Sequence, residues 1–241
     1  PNNNRFRSIH YKRSTLQTRT NTGMPPVIPP PPEVPRDIIL VSRAALYNDT
    51  FDTNPIGSRL ILVQEPGGNC NPGHEGDRYG RNGLVYLEIQ TRNRECALLI
   101  QDVTLPNVGS IYVAFTALIL ELEEGNRDQP GLFGAILTSD TALTAYYTGG
   151  FGFNESGGRI FVRFRDRVLD VDSKSYQDYP VGFDKWYNGT LALSYVLPNV
   201  PYAIAAYANP TTSVSRILAP HELLTPSMAG ISIYKLTSPR W

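Results

Sequence analysis

The sequence is poor in the residues that most often carry chemistry or staple a small fold. In 241 residues it has two cysteines, two methionines, two tryptophans and three histidines. Two cysteines make no disulfide framework, so one disulfide between Cys70 and Cys96 is possible but not implied, and free thiols are the plainer expectation. No zinc spacing links His10, His74 and His221 to one another or to the cysteines. The most apolar run, 111–120, is too short to cross a bilayer as a helix, and residues 1–23 lack the apolar stretch of a secretory signal. No membrane span is expected. The chain also lacks a Gly-x-Ser-x-Gly elbow, a phosphate loop and a dinucleotide fingerprint. The expectation is a protein that is not an enzyme, with no catalytic residue, metal or cofactor to assign.

Weaker constellations point the same way. Cys70, His74, Glu75 and Asp77 cluster, but a Cys-x3-His pair alone is a weak metal signal. Asp170 and Asp172 begin like a calcium loop, but Lys174 takes the next ligand position and the required glycine is missing. Asp166, Asp170, Asp172 and Asp178 instead alternate with Arg163, Arg165 and Arg167, which predicts surface ion pairs worth 0 to about 1 kcal/mol each. Glu88, Glu121, Glu123 and Glu155 are carboxylates that no spacing selects as a glycosidase pair. Asn48, Asn154 and Asn188 open glycosylation sequons, about as many as sixteen asparagines produce by chance.

Proline and glycine are plentiful, 20 of each. Seven of the prolines fall within residues 24–35, MPPVIPPPPEVP. Each ring fixes φ and removes a backbone donor, which excludes helix and central strand and favours polyproline II. At about 3.1 Å per residue the stretch is a stiff spacer roughly 37 Å long. Before it lies a polar arm, 1–23, with Arg5, Arg7, Lys12, Arg13 and Arg19 and no acid, although the formal net charge of the whole chain is zero. Phe6, Ile9, Tyr11 and Leu16 are apolar anchors that a solvated tail does not need. These residues predict an arm that orders against another molecule. Three regions result: the arm 1–23, the spacer 24–36 and a single β domain over 37–241.

The body reads as short strands between turns. Residues 59–64, 84–90, 96–103, 111–123, 132–138, 159–171, 190–196, 202–207, 214–218 and 230–236 have strand-forming composition or period-2 alternation, and 38–46 is a further β-rich run. Residues 142–147 fit either a strand or a turn of helix. Residues 65–83 and 149–158 read as glycine-rich loops, and 176–187 as an aromatic loop. Asn188-Gly189 is a hairpin-turn signal, since both central positions of a type I′ turn need positive φ. Within 159–167, Ile160, Val162 and Phe164 predict a core face, and Arg163, Arg165 and Arg167 a basic exposed one. Ten or eleven strands without a convincing amphipathic helix predict an all-β antiparallel sandwich. Aromatics crowd the segments flanking the basic strand, and Tyr147, Phe151, Phe153, Trp186 and Tyr187 are candidate surface-binding rings. Core packing is the plain alternative for most of them.

This layout resembles that of icosahedral virus capsid proteins with a jelly-roll domain. The matching features are the basic arm, the proline spacer and the strand-rich body. The resemblance implies a jelly-roll sandwich with an extended N-terminal arm, acting as a structural virion protein, either a coat or a minor capsid component. It implies homo-oligomers or other shell proteins as partners, and the capsid shell as the location. Arg5, Phe6, Arg7, Ile9, Tyr11, Lys12, Arg13 and Arg19 are then the assembly-arm residues. Five spread charges neutralise about five phosphates, a salt slope near −4.5, so the arm favours protein, with weak nucleic-acid contact at most. The alternative is a carbohydrate-binding or adhesin β-sandwich module, extracellular or surface-exposed, that uses the five rings.

Overall fold

The computed structural model describes residues 47–76, 83–89, 91–119, 131–154, 157–182, 185–208 and 211–235, and the backbone of 6–19. Fifteen strands run through them, with one short 3-10 turn at Pro220–Glu222 and no α-helix among the described residues. The strands are β1 (Phe6–Arg19), β2 (Tyr47–Asp49), β3 (Leu60–Gln64), β4 (Cys70–Glu75), β5 (Leu84–Ile89), β6 (Glu95–Ile100), β7 (Ser110–Ile119) and β8 (Gly131–Thr138). They continue as β9 (Ala145–Asn154), β10 (Gly157–Asp166), β11 (Val171–Asp178), β12 (Lys185–Leu197), β13 (Val200–Ala208), β14 (Thr212–Ile217) and β15 (Met228–Lys235).

They form two antiparallel sheets. Sheet A has the order β14-β13-β12-β7-β1-β5-β4, with β2 also paired to β1. Sheet B has the order β11-β10-β9-β8-β15-β6-β3. The chain crosses between sheets early, then lays down β8 to β11 as consecutive hairpins in B and β12 to β14 in A. The last strand, β15, returns to B between β6 and β8. Alternating apolar residues of both sheets meet in one core, with Val113, Phe115, Leu191, Leu193 and Ile204 from A and Leu98, Phe133, Ile160, Val162 and Ile231 from B. The antiparallel sandwich read from the sequence is the architecture present.

Several local expectations are corrected by packing. The Asn188-Gly189 dipeptide lies inside β12, opposite Thr116 and Phe115 of β7. Gly189 is there for close approach: a Cβ on it would sit 2.4 Å from the Phe115 ring. The glycine-rich stretch 149–158 holds the end of β9 and the start of β10, not one long loop. A Cβ on Gly149 would lie 2.7 Å from Leu191 of sheet A, so this glycine lets the sheets come together. The 65–83 loop contains β4, and the 176–187 loop begins inside β11. Cys70 of β4 and Cys96 of β6 are disulfide-bonded, with Cα atoms 6.3 Å apart, so the expected free thiols are a staple between the sheets.

The centre of sheet B is buried on both faces. Strands β6 and β8 are buried at every residue, where a simple sandwich leaves alternate residues wet. Val63, Ala97, Leu99, Ile136, Leu143 and Tyr146 form a second apolar cluster on the face turned away from sheet A. Glu65, just past β3, meets Arg165 of β10 at 3.5 Å although four strands separate β3 from β10 in the sheet. Across a flat sheet that separation is about 24 Å, beyond the reach of the two side chains. Sheet B therefore coils around its own outer face.

Candidate functional site

Arg5 lies outside the described residues. Phe6, Arg7, Ile9, Tyr11, Lys12, Arg13 and Arg19 all fall in β1, an interior strand of sheet A. Its register runs from Ile9 opposite Ile119 to Arg19 opposite Ser110 on β7, and from Phe6 opposite Ile89 to Tyr11 opposite Val85 on β5. A segment with no clear periodicity forms a strand here because two unpaired edges hold it by backbone hydrogen bonds, which need no particular side-chain pattern. Removing residues 1–23 would open two sheet edges.

A second surface lies at one end of the sandwich. The β10–β11 turn exposes Val168 (77%) and Leu169 (60%). The turn is rigid: Asp166 Oδ1 accepts from the Val168 and Leu169 amides at 2.8 and 2.9 Å, and Asp170 adopts φ 52°. The β12–β13 turn exposes Leu197 (54%) and Val200. It too is fastened, by Asn107 Nδ2 donating to Asn199 Oδ1 at 2.9 Å and Thr225 Oγ1 donating to the Asn199 carbonyl at 2.9 Å. A strip of loops joins the two turns: Ser227 Oγ donates to the Ser139 carbonyl at 3.1 Å, and Arg167 donates to the Ala142 carbonyl at 2.9 Å. Leu223, also exposed, belongs to the same strip. Apolar side chains held outward on fixed turns are suited to burial against another molecule.

The candidate surface-binding rings are mostly core. Tyr147, Phe151, Phe153 and Tyr187 are buried, which corrects the expectation that they face a ligand; Trp186 is half-buried. Phe151 sits at the centre, 5.4 Å from Phe133, 6.1 Å from Phe115 and 5.2 Å from Tyr187 between ring centroids. The hydroxyls of the two tyrosines fasten loops. Tyr147 donates to the Glu222 carbonyl at 2.5 Å and accepts from the Leu224 amide at 2.7 Å. Tyr187 accepts from the Gly182 amide at 2.7 Å.

Sequence reasoning missed an ionic cluster on the coiled face of sheet B. The basic exposed face predicted on β10 is corrected at Arg163, whose side chain is 0% exposed. Its guanidinium forks onto Asp172, at 2.7 and 3.1 Å, and reaches Glu95 at 3.2 Å. The Tyr234 ring lies 4.2 Å beneath it. Tyr146 donates to Glu65 at 3.0 Å and lies 3.4 Å from Glu95, and both carboxylates are buried. Burial pushes the Glu95 carboxyl up to about 7, against the opposing pull of Arg163. Burial also acts against Asp172, but hydrogen bonding and charge from Arg163, with Lys174, hold its carboxyl below the usual range. The alternation of Arg and Asp across β10 and β11 was the available signal; that a coil would bury it was not legible.

These groups lock the coiled face of the sheet. Of the weak metal constellations, Cys70 is in the disulfide, His74 Nε2 bonds the Phe51 carbonyl at 2.7 Å, and Asp172 is engaged by three cations. Asp77 lies outside the described residues, as do Glu121, Glu123 and Glu155. Among the described residues no helix is long and apolar enough to cross a membrane. No protein-family model matches the chain, and no curated protein shows significant similarity to it.

Proposed function

We propose that the chain is a structural shell protein, a coat or minor capsid component of a virion, whose body tiles against other copies and whose N-terminal segment ties neighbours together. The observation that carries this reading is the end of the sandwich where Val168, Leu169, Leu197, Val200 and Leu223 are held outward on hydrogen-bonded turns. Each large side chain fully buried at a contact contributes roughly 1.5–3 kcal/mol before ordering costs, which suits them to the centre of an interface. The jelly-roll form belongs to the same proposal. In its support, β15 lies between β6 and β8 as a Greek-key return strand does, while the consecutive hairpins of each sheet widen it beyond eight strands. The carbohydrate-binding alternative loses four of its five rings to the core.

The test is native mass measurement and electron microscopy of the purified chain beside a Val168→Ser/Leu169→Ser variant. The wild type is expected as a multi-subunit assembly. The variant should keep its melting temperature within a few degrees, since both side chains are exposed, and lose most of the assembly. A wild-type protein that stays monomeric at all concentrations sinks the reading.

A further inference from the structure

We infer that β1 is supplied in trans, Phe6–Arg19 of one copy completing sheet A of a second. This rests on the self-assembly reading above and names how the copies are joined. Strand β1 runs antiparallel to both β5 and β7, so those two strands run parallel to each other across a gap one strand wide, about 10 Å. Among the described residues, β4 and β5 join the rest of sheet A only through β1, and β2 pairs with β1 alone. The sheet is therefore incomplete without this segment, whichever copy provides it.

The length of chain after β1 separates the two sources. Leu16 lies opposite Tyr47, so their Cα atoms are roughly 5 Å apart, and Arg19 is three residues further along. The gap from Arg19 to Tyr47 in one chain is thus about 11 Å, which three or four residues span. The chain between them is 20–46, 27 residues. Fully extended it reaches about 90 Å, and as a plain coil its ends average about 30 Å apart. Seven prolines within 24–35 stiffen it further, that stretch alone reaching about 37 Å as polyproline II. A connection is most effective when its natural length matches the span it bridges. Closing within one chain would require residues 36–46 to run back along nearly the whole length of the stiff stretch to meet a short gap. Between two bodies each roughly 43 Å across, the same segment bridges at close to its natural length. An antiparallel strand added between two sheet edges is held by backbone hydrogen bonds on both sides, the strongest form of strand addition.

The test places cysteines at opposed positions of β1 and β7. Ala114 and Thr116 of β7 are half-exposed, and Thr15 and Arg13 oppose them. Full-length chain carrying Thr15→Cys and an affinity tag is co-expressed with untagged full-length chain carrying Ala114→Cys. Air oxidation is followed by non-reducing gel electrophoresis and native mass measurement. The expected result is a tagged–untagged disulfide-linked pair within the assembly, reproduced by Arg13→Cys with Thr116→Cys should the first pair fold poorly. A chain carrying both Thr15→Cys and Ala114→Cys that crosslinks only within itself while still assembling overturns the inference and leaves the shell reading intact. The same intrachain crosslink in a protein that stays monomeric overturns both. A linked pair that remains a discrete dimer supports the exchange and overturns the shell.

Discussion

At the scale of single residues, Arg163 and Glu95 show what alternation along a strand can and cannot say. The period of β10 correctly put Ile160, Val162 and Phe164 in the core, and put Arg163 on the opposite face. Opposite was read as wet, and here it is buried, because Asp172, Glu95 and the Tyr234 and Tyr146 rings surround the guanidinium. A pH dependence follows. Glu95 has a folded-state pKa of about 7 against an ordinary 4.5, so between those values the folded protein holds a proton that the unfolded chain has released. Stability from that proton is complete below pH 4.5 and is lost as pH rises through 7. Thermal melts should therefore show a fall from pH 5 to pH 8 that Glu95→Gln flattens. An unchanged slope in the variant would show that Glu95 is not the titrating group. Asp172 works in the opposite sense: its pKa is depressed, so its contribution is present at neutral pH and is lost in acid. Replacing Arg163 with Met would strand the buried Glu95 and leave Asp172 without its forked partner, at a cost of about 3–5 kcal/mol in chemical denaturation.

At the scale of elements, strand positions were legible wherever β-branched and aromatic residues alternate, as in 159–166 and 202–207. They were misread at 149–158 and at Asn188-Gly189, where glycine stands inside a strand. Glycine marks a turn when φ must be positive, and a close approach when a neighbour occupies the Cβ position. Only the second condition holds at Gly189, where three atoms of the Phe115 ring lie within 3 Å of the Cβ site. Phe115 is itself packed edge-on against Phe151 and has little freedom to give way. Gly189→Ala should cost about 1–3 kcal/mol by denaturant unfolding. Gly76→Ala, where nothing lies within 4 Å of the Cβ site, should stay within about 1 kcal/mol of wild type. Equal effects at both sites would mean that backbone entropy, and not the ring, sets the requirement at 189.

At the scale of the whole molecule, the disulfide ties β4 of one sheet to β6 of the other across a sequence separation of 26. Closing a loop of that length contributes about 3–4 kcal/mol by restricting the unfolded chain. Reduction, or the double replacement Cys70→Ala/Cys96→Ala, should lower the unfolding free energy by that amount without changing the secondary structure seen by circular dichroism. A shift below about 0.5 kcal/mol would show that packing alone holds the sheets together. The sequence by itself determined the all-β class and most strand positions. Those properties are local: a half-buried strand writes its period into five or six neighbouring residues. Tertiary structure alone decided the rest. It paired Cys70 with Cys96, took Tyr147, Phe151, Phe153 and Tyr187 into the core, buried Arg163, and seated Phe6–Arg19 between β5 and β7. Each of these depends on segments far apart in the chain meeting across a coiled sheet or an open sheet edge, and no window of neighbouring residues carries that information.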